Sequence, residues 1–172
     1  VTKMLYLSDD MFQYAVSVEM ADTPGKDWYY SSGTANIISG IIRKSFLNDQ
    51  QYYEFPYRAL FDKISMQTAI IETDASGTFV ASSYGHASAR DWARFGLLYL
   101  NDGKWDGEQI LPEGWVTYTM TPSPASNGEY GAQFWLNRNK RFTDAPDDLF
   151  YCRGHNGQRV FILPSDNLVI VR

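Results

Sequence analysis

The sequence carries one cysteine, Cys152, only two histidines, and no basic cluster along its length. A lone cysteine excludes an intramolecular disulfide framework and leaves the compartment open. Cys152 and His155 stand three residues apart, but no second pair of soft ligands accompanies them, so neither zinc nor any other cofactor is expected. With a net charge of −5 and no lysine or arginine patch, nucleic acid is excluded as a partner. No apolar run approaches the roughly 18 residues that a bilayer span requires, and no signal-peptide pattern occurs. Also missing are a phosphate-cradling glycine loop before a helix and a Gly-x-Ser-x-Gly elbow, which argues against an α/β-hydrolase.

What is present fits one soluble globular domain spanning residues 1–172. Hydrophobic residues make up 44% and charged residues 20% of the 172. Aromatics are frequent at 16%, with 12 tyrosines. They suit either the periphery of a core or a groove for peptide or glycan.

Helical and strand patterns exchange along the chain. Asp9 or Asp10 caps a short helix containing Met11, Phe12, Ala15 and Val16. Ile37, Ile38, Ile41, Ile42 and Phe46 are spaced to give a second helix one apolar, core-facing side. Pro56 suits the first position of a third helix. Ala69–Ile71 and Phe79–Ala81 read as strands or extended segments. Ser88, with Asp91 three residues on, caps a fourth helix bearing Trp92, Phe95, Gly96 and Tyr99, which Gly103 closes. Phe134–Leu136 reads as a short strand. Val160–Leu163 and Leu168–Val171, joined by Pro164-Ser165-Asp166-Asn167, read as adjacent antiparallel strands. Helices early and strands late indicate an α+β fold, a helical cluster packed on an antiparallel sheet.

Two polar stretches draw attention. Gly154-His155-Asn156-Gly157-Gln158 is a glycine-flanked segment where backbone can approach a ligand closely. Tyr30-Ser31-Ser32 falls at a loop-to-helix junction behind Trp28. Taken singly, Tyr30 reads as a packing residue, the serines as caps and His155 as a turn residue.

Taken together, the segments resemble the serine β-lactamase and penicillin-binding-protein superfamily. They are most similar to its class C-like branch of esterases, D-amino-acid peptidases and 6-aminohexanoate-oligomer hydrolases. Pro24-Gly25-x-x-Trp28-x-Tyr30-Ser31 resembles the approach to that family's Tyr-x-Asn motif. Ser88 to Leu98, Gly103 to Gly107, Leu111 to Val116 and Tyr130-Gly131-x-x-Phe134-Trp135 are similar to its later landmarks. Gly154-His155-Asn156-Gly157-Gln158 resembles its Lys-Thr-Gly strand motif in the His-x-Gly form.

The resemblance implies acyl transfer through a serine ester. Tyr30 becomes a catalytic proton relay, and His155 takes the place of the motif's lysine. Ser32 stands for the asparagine, Asn156 for the threonine, and Ser32, Asn156, Gly157 and Gln158 contact a small-molecule or peptide substrate. The Gln158 N–H becomes half of the oxyanion hole. A neutral imidazole attracts a β-lactam carboxylate less than a lysine does, so an ester, amide or D-amino-acid peptide fits better. The resemblance favours a bacterial periplasm or other extracytoplasmic space, with the cytoplasm open.

One departure is large. No serine in the sequence has lysine three residues later, and the family places that Ser-x-x-Lys motif upstream of its tyrosine. The chain, opening at Val1 and stopping at Arg172 directly after a strand, is therefore expected to be a piece of a longer hydrolase. By itself it is expected to be inactive, and to self-associate through an exposed sheet edge. The alternative is a non-catalytic peptide- or peptidoglycan-binding module on the same fold.

Overall fold

The computed structural model describes all residues, Val1–Arg172. Its helices are α1 (Thr2–Leu7), α2 (Met11–Ser17), α3 (Ser32–Lys44) and α4 (Asp49–Pro56), the last running into a π-helical turn at Tyr57–Phe61. A two-stranded ladder follows, β1 (Ile70–Ile71) against β2 (Gly85–His86), then α5 (Ala89–Leu100). The hairpin β3 (Lys104–Trp105) and β4 (Glu108–Gln109) leads to α6 (Trp115–Met120). Strands β5 (Trp135–Leu136), β6 (Phe150–Arg153), β7 (Arg159–Leu163) and β8 (Leu168–Val171) form an antiparallel sheet in the order β5-β6-β7-β8. The α+β architecture is as the residue pattern implies.

Local chemistry explains most boundaries. The Asp10 carboxylate accepts from Gln13 N–H at 2.8 Å and starts α2. Ser88 accepts from Asp91 N–H at 3.2 Å and starts α5. Buried Asp91 then accepts from both the N–H and the hydroxyl of Thr68, at 2.8 and 2.6 Å, and meets Arg94 at 2.6 Å. This ties the start of α5 to the segment before β1.

The main core lies between α5 and one face of the sheet, where Tyr99, Phe134, Phe150, Val160 and Ile162 pack together. Gly96 permits this contact: a Cβ there would stand 2.6 Å from the Val169 side chain. A second cluster joins α1 and α2 through Met4, Met11 and Ala15.

Two expectations need correction. Helix α3 turns Asn36, Ser39 and Gly40 inward and leaves Ile38, Ile41 and Ile42 exposed. Its inner face is satisfied by hydrogen bonds: Ala81 N–H donates to Asn36 Oδ1, Asn36 Nδ2 donates to Ser82, and Ser39 donates to Phe79 C=O. Pro56 does not open a helix. Asn48 caps α4, and the chain continues past Pro56 by a widened turn in which Asp62 N–H reaches Tyr57 C=O. The two segments read as strands or extended are so placed: Ile70–Ile71 pairs with Gly85–His86, and Phe79 makes an isolated bridge with Thr73.

Candidate active site

Tyr30 sits one residue before the cap of α3, where the Ser31 hydroxyl accepts from Thr34 N–H at 3.3 Å. Ring contacts hold it: its ring lies 5.0 Å from Trp135 and 5.7 Å from Tyr130. Trp28 closes the group, 5.3 Å from Tyr130 and 6.0 Å from Trp135. Trp135 is buried while Tyr30 keeps 51% of its surface exposed, so an anchored ring presents an accessible phenol. Burial, with the neighbouring Tyr30 phenol adding to it, pushes the Tyr130 hydroxyl far above its usual range. Tyr130 therefore remains protonated at any working pH.

Beside these rings lies a cleft of about 320 Å³ lined by Trp28, Tyr30, Ser32, Ser82, Tyr130 and Gln133, among others. Tyr30 and Ser32, singled out together from the sequence, thus share one wall. His155, Asn156, Gly157 and Gln158 do not line that cleft.

These four residues form a turn rather than a continuation of the strand, because β6 ends at Arg153. Gly154 N–H donates to Gln158 C=O at 3.0 Å, and Gln158 N–H donates to His155 C=O at 3.3 Å. Asn156 takes a left-handed φ of 53°, and Gly157 takes +87°, a value that favours glycine. His155, Asn156 and Gln158 are exposed. The Gln158 N–H, expected to face an oxyanion, is engaged by the long turn bond.

Two links connect the turn to the Tyr30 cluster. Trp135 pairs across the sheet with Tyr151, and the Arg153 guanidinium carbon lies 5.4 Å from the Trp135 ring centre. Arg153 directly precedes the Gly154 turn. Sequence reading passed over both Trp135 as a platform and Arg153. The only advance signal for Arg153 was its two-residue spacing from Tyr151, which puts both on one face.

Other reactive groups stand apart. Burial pushes the Cys152 thiol up to about 12, so it is not a thiolate nucleophile. His86 pairs with Glu72 at 3.0 Å on the surface. No group of three or more His, Cys, Asp or Glu side chains is arranged to hold a metal, and no helix is long and apolar enough to cross a membrane.

Known proteins resemble this chain in sequence and overall fold. The Beta-lactamase family profile matches residues 2–172, and the chain belongs to that family. A 6-aminohexanoate-dimer hydrolase of Paenarthrobacter ureafaciens is 24% identical over 159 residues, 85% of this chain and 38% of that protein. A Bacillus anthracis structure, provisionally described as a 6-aminohexanoate-dimer hydrolase, superposes with a TM-score of 0.78 at 28% identity. The match covers 94% of this chain and 41% of that one. A Mycobacterium bovis β-lactamase shares the fold, with a TM-score of 0.66 at 17% identity over 89% of this chain and 58% of its own. The chain thus spans about two fifths of the length of the 6-aminohexanoate-dimer hydrolases it matches.

Proposed function

We propose that residues 1–172 supply one side of the acyl-transfer site of a β-lactamase-like serine hydrolase acting on an ester, an amide or a D-amino-acid peptide. The observation that carries this reading is the half-exposed Tyr30 phenol, ring-locked at the mouth of a cleft in a chain of the Beta-lactamase family. Tyr30 relays the proton from a nucleophilic serine to the leaving group, and Ser32 contacts substrate beside it. His155, Asn156 and Gly157, on the turn after β6 and outside that cleft, contact the substrate from a second side. Gln158 N–H turns to the developing oxyanion when its 3.3 Å bond to His155 opens. The Paenarthrobacter relative, a 6-aminohexanoate-dimer hydrolase, supports an amide among the candidate substrates.

No serine here has lysine three residues on, so these 172 residues are inactive alone. The test is turnover of a chromogenic ester or cephalosporin. A longer form with Ser-x-x-Lys roughly 60 to 100 residues before Tyr30, the spacing that the family resemblance implies, hydrolyses it. Tyr30→Phe in that form lowers the rate by about 100-fold or more. Turnover by the 172-residue chain itself overturns the assignment.

The missing nucleophile also favours a second reading, a peptide- or peptidoglycan-binding module using the exposed Tyr29 and the cleft beside it. Saturable affinity for peptidoglycan fragments, with no acylation of any longer form, supports it instead.

A further inference from the structure

Helix α3 has a cleft toward each end. The one beside Tyr30 meets its first turn at Ser32 and Ala35. A second cleft, of about 410 Å³, meets its last turns at Gly40 and Lys44 and shares no lining residue with the first. Its other walls are the start of α2, with Asp10 and Phe12, and the connection to α4, with Phe46 and Leu47. A volume of that order suits a small molecule.

Much of the polar lining is already committed. The Arg43 guanidinium donates to Thr78 Oγ1 and to Asp49 Oδ1, both at 3.0 Å, and the Ser76 hydroxyl donates to buried Asp74 at 2.7 Å. Two opposite charges in the same cleft are not committed. Lys44 and Asp10 enter none of the chain's ion pairs, with each other or with any third group. Each is nevertheless held in place. A Cβ at Gly40 would overlap the Phe12 ring, so glycine lets that ring lie against α3. Lys44, four residues on along the same face, rests its ammonium 4.3 Å from the ring centre. Asp10 Oδ1 accepts the cap bond from Gln13 N–H, which leaves Oδ2 open. Beside these charges Phe46 stands against Tyr52 and Phe55, and Leu47 is exposed.

A simple anion in this cleft would face Asp10 and Asp49, and a simple cation would face Lys44 and Arg43. A ligand carrying both charges satisfies both walls. We propose that the cleft binds a free α-amino acid with an apolar side chain. Its carboxylate meets Lys44, its ammonium meets Asp10 Oδ2, and its side chain lies against Phe46 and Leu47. Three branches from one carbon thus answer three kinds of wall. An ester, an amide or an N-capped amino acid lacks one of the two charges and is selected against. The site stands apart from the Tyr30 cleft and does not depend on the chemistry assigned there.

The test is calorimetric titration of the 172-residue chain with four probes. They are L-leucine, N-acetyl-L-leucine without the ammonium, L-leucinamide without the carboxylate, and glycine without the side chain. Leucine binds at least about tenfold tighter than each of the others, the increment of one charge-assisted contact or one buried apolar side chain. Lys44→Gln binds leucine no tighter than it binds leucinamide. Asp10→Asn, which keeps the helix cap, binds leucine no tighter than it binds N-acetyl-leucine. If circular dichroism shows either variant unfolded, Lys44→Met and Asp10→Ser take their places. Tyr30→Phe binds leucine as the parent does. Absence of saturable leucine binding below about 10 mM overturns the site. So does equal binding of leucine and either singly charged probe, or a full preference retained in the folded variants. Leucine binding lost in Tyr30→Phe but kept in Lys44→Gln and Asp10→Asn moves the amino acid to the other cleft and overturns the proposal as well.

Discussion

The ring of Tyr30 rests 5.0 Å from that of Trp135 at a 40° tilt, joining the loop before α3 to the first strand of the sheet. Trp135 is the hub of this contact, also meeting Trp28, Tyr130, Tyr151 and Arg153. Trp135→Ala is expected to lower stability by about 3–5 kcal/mol. Tyr30→Phe keeps the ring and removes only an exposed hydroxyl, so its stability should stay within about 0.5 kcal/mol of the parent. Urea unfolding of the two variants checks the contrast. A large loss for Tyr30→Phe would mean that the hydroxyl serves packing rather than proton transfer.

Asp91 makes a second prediction, in acid. The Thr68 hydroxyl bond first, then the Thr68 N–H and Arg94, hold its carboxyl below the usual carboxylate range, against the opposing effect of burial. A depressed folded-state pKa contributes stability that is complete above the unfolded value of about 3.9 and is lost as pH falls through the lower folded value. Stability should therefore decline below about pH 4, and Asp91→Asn should flatten that part of the profile. At neutral pH the same variant should cost about 2–3 kcal/mol through its charge-assisted bonds. Denaturation midpoints across an acid series measure both effects.

On α3 the two faces should respond oppositely. A Cβ at Gly40 would overlap the Phe12 ring, so Gly40→Ala is expected to destabilise by about 1–3 kcal/mol despite its better helix propensity. Ile41 is 59% exposed, and Ile41→Ser should cost no more than about 0.5 kcal/mol. The reverse ranking in thermal melts would mean that the isoleucine face is the packed one.

That inversion shows where sequence reading reached its limit. The caps at Asp10 and Ser88 were legible because a cap is a contact over three residues, written wholly in local sequence. The inward face of α3 was not. Isoleucine spacing pointed to one side, whereas the buried side is chosen by Phe79, Ala81 and Ser82, some 40 residues distant, which complete the hydrogen bonds of Asn36 and Ser39. Pro56 misled for a related reason, since a π-type turn carries a helix past proline without a visible signal. At the site, Tyr30 and the Gly154–Gln158 turn stood out as motifs. The contact of Arg153 with Trp135 depends on the register of β5 and β6, and register is a long-range property.

The outer edge of β8 supports the last prediction. β8 pairs only with β7, leaving alternate backbone donors and acceptors open along the other side, with Leu168 and Ile170 exposed at 43% and 45%. An unpaired apolar edge is a template for another strand. The isoleucine face of α3 offers apolar area as well, but its backbone bonds are already closed within the helix, so it adds no ladder. Concentration-dependent self-association is accordingly expected to run through β8. Ile170→Lys should suppress it, since a lysine on an edge strand opposes pairing, whereas Ile41→Lys should leave it largely intact. Light scattering over a concentration series separates the two surfaces. A monomeric parent throughout that series refutes association altogether, and suppression by Ile41→Lys alone moves it to α3.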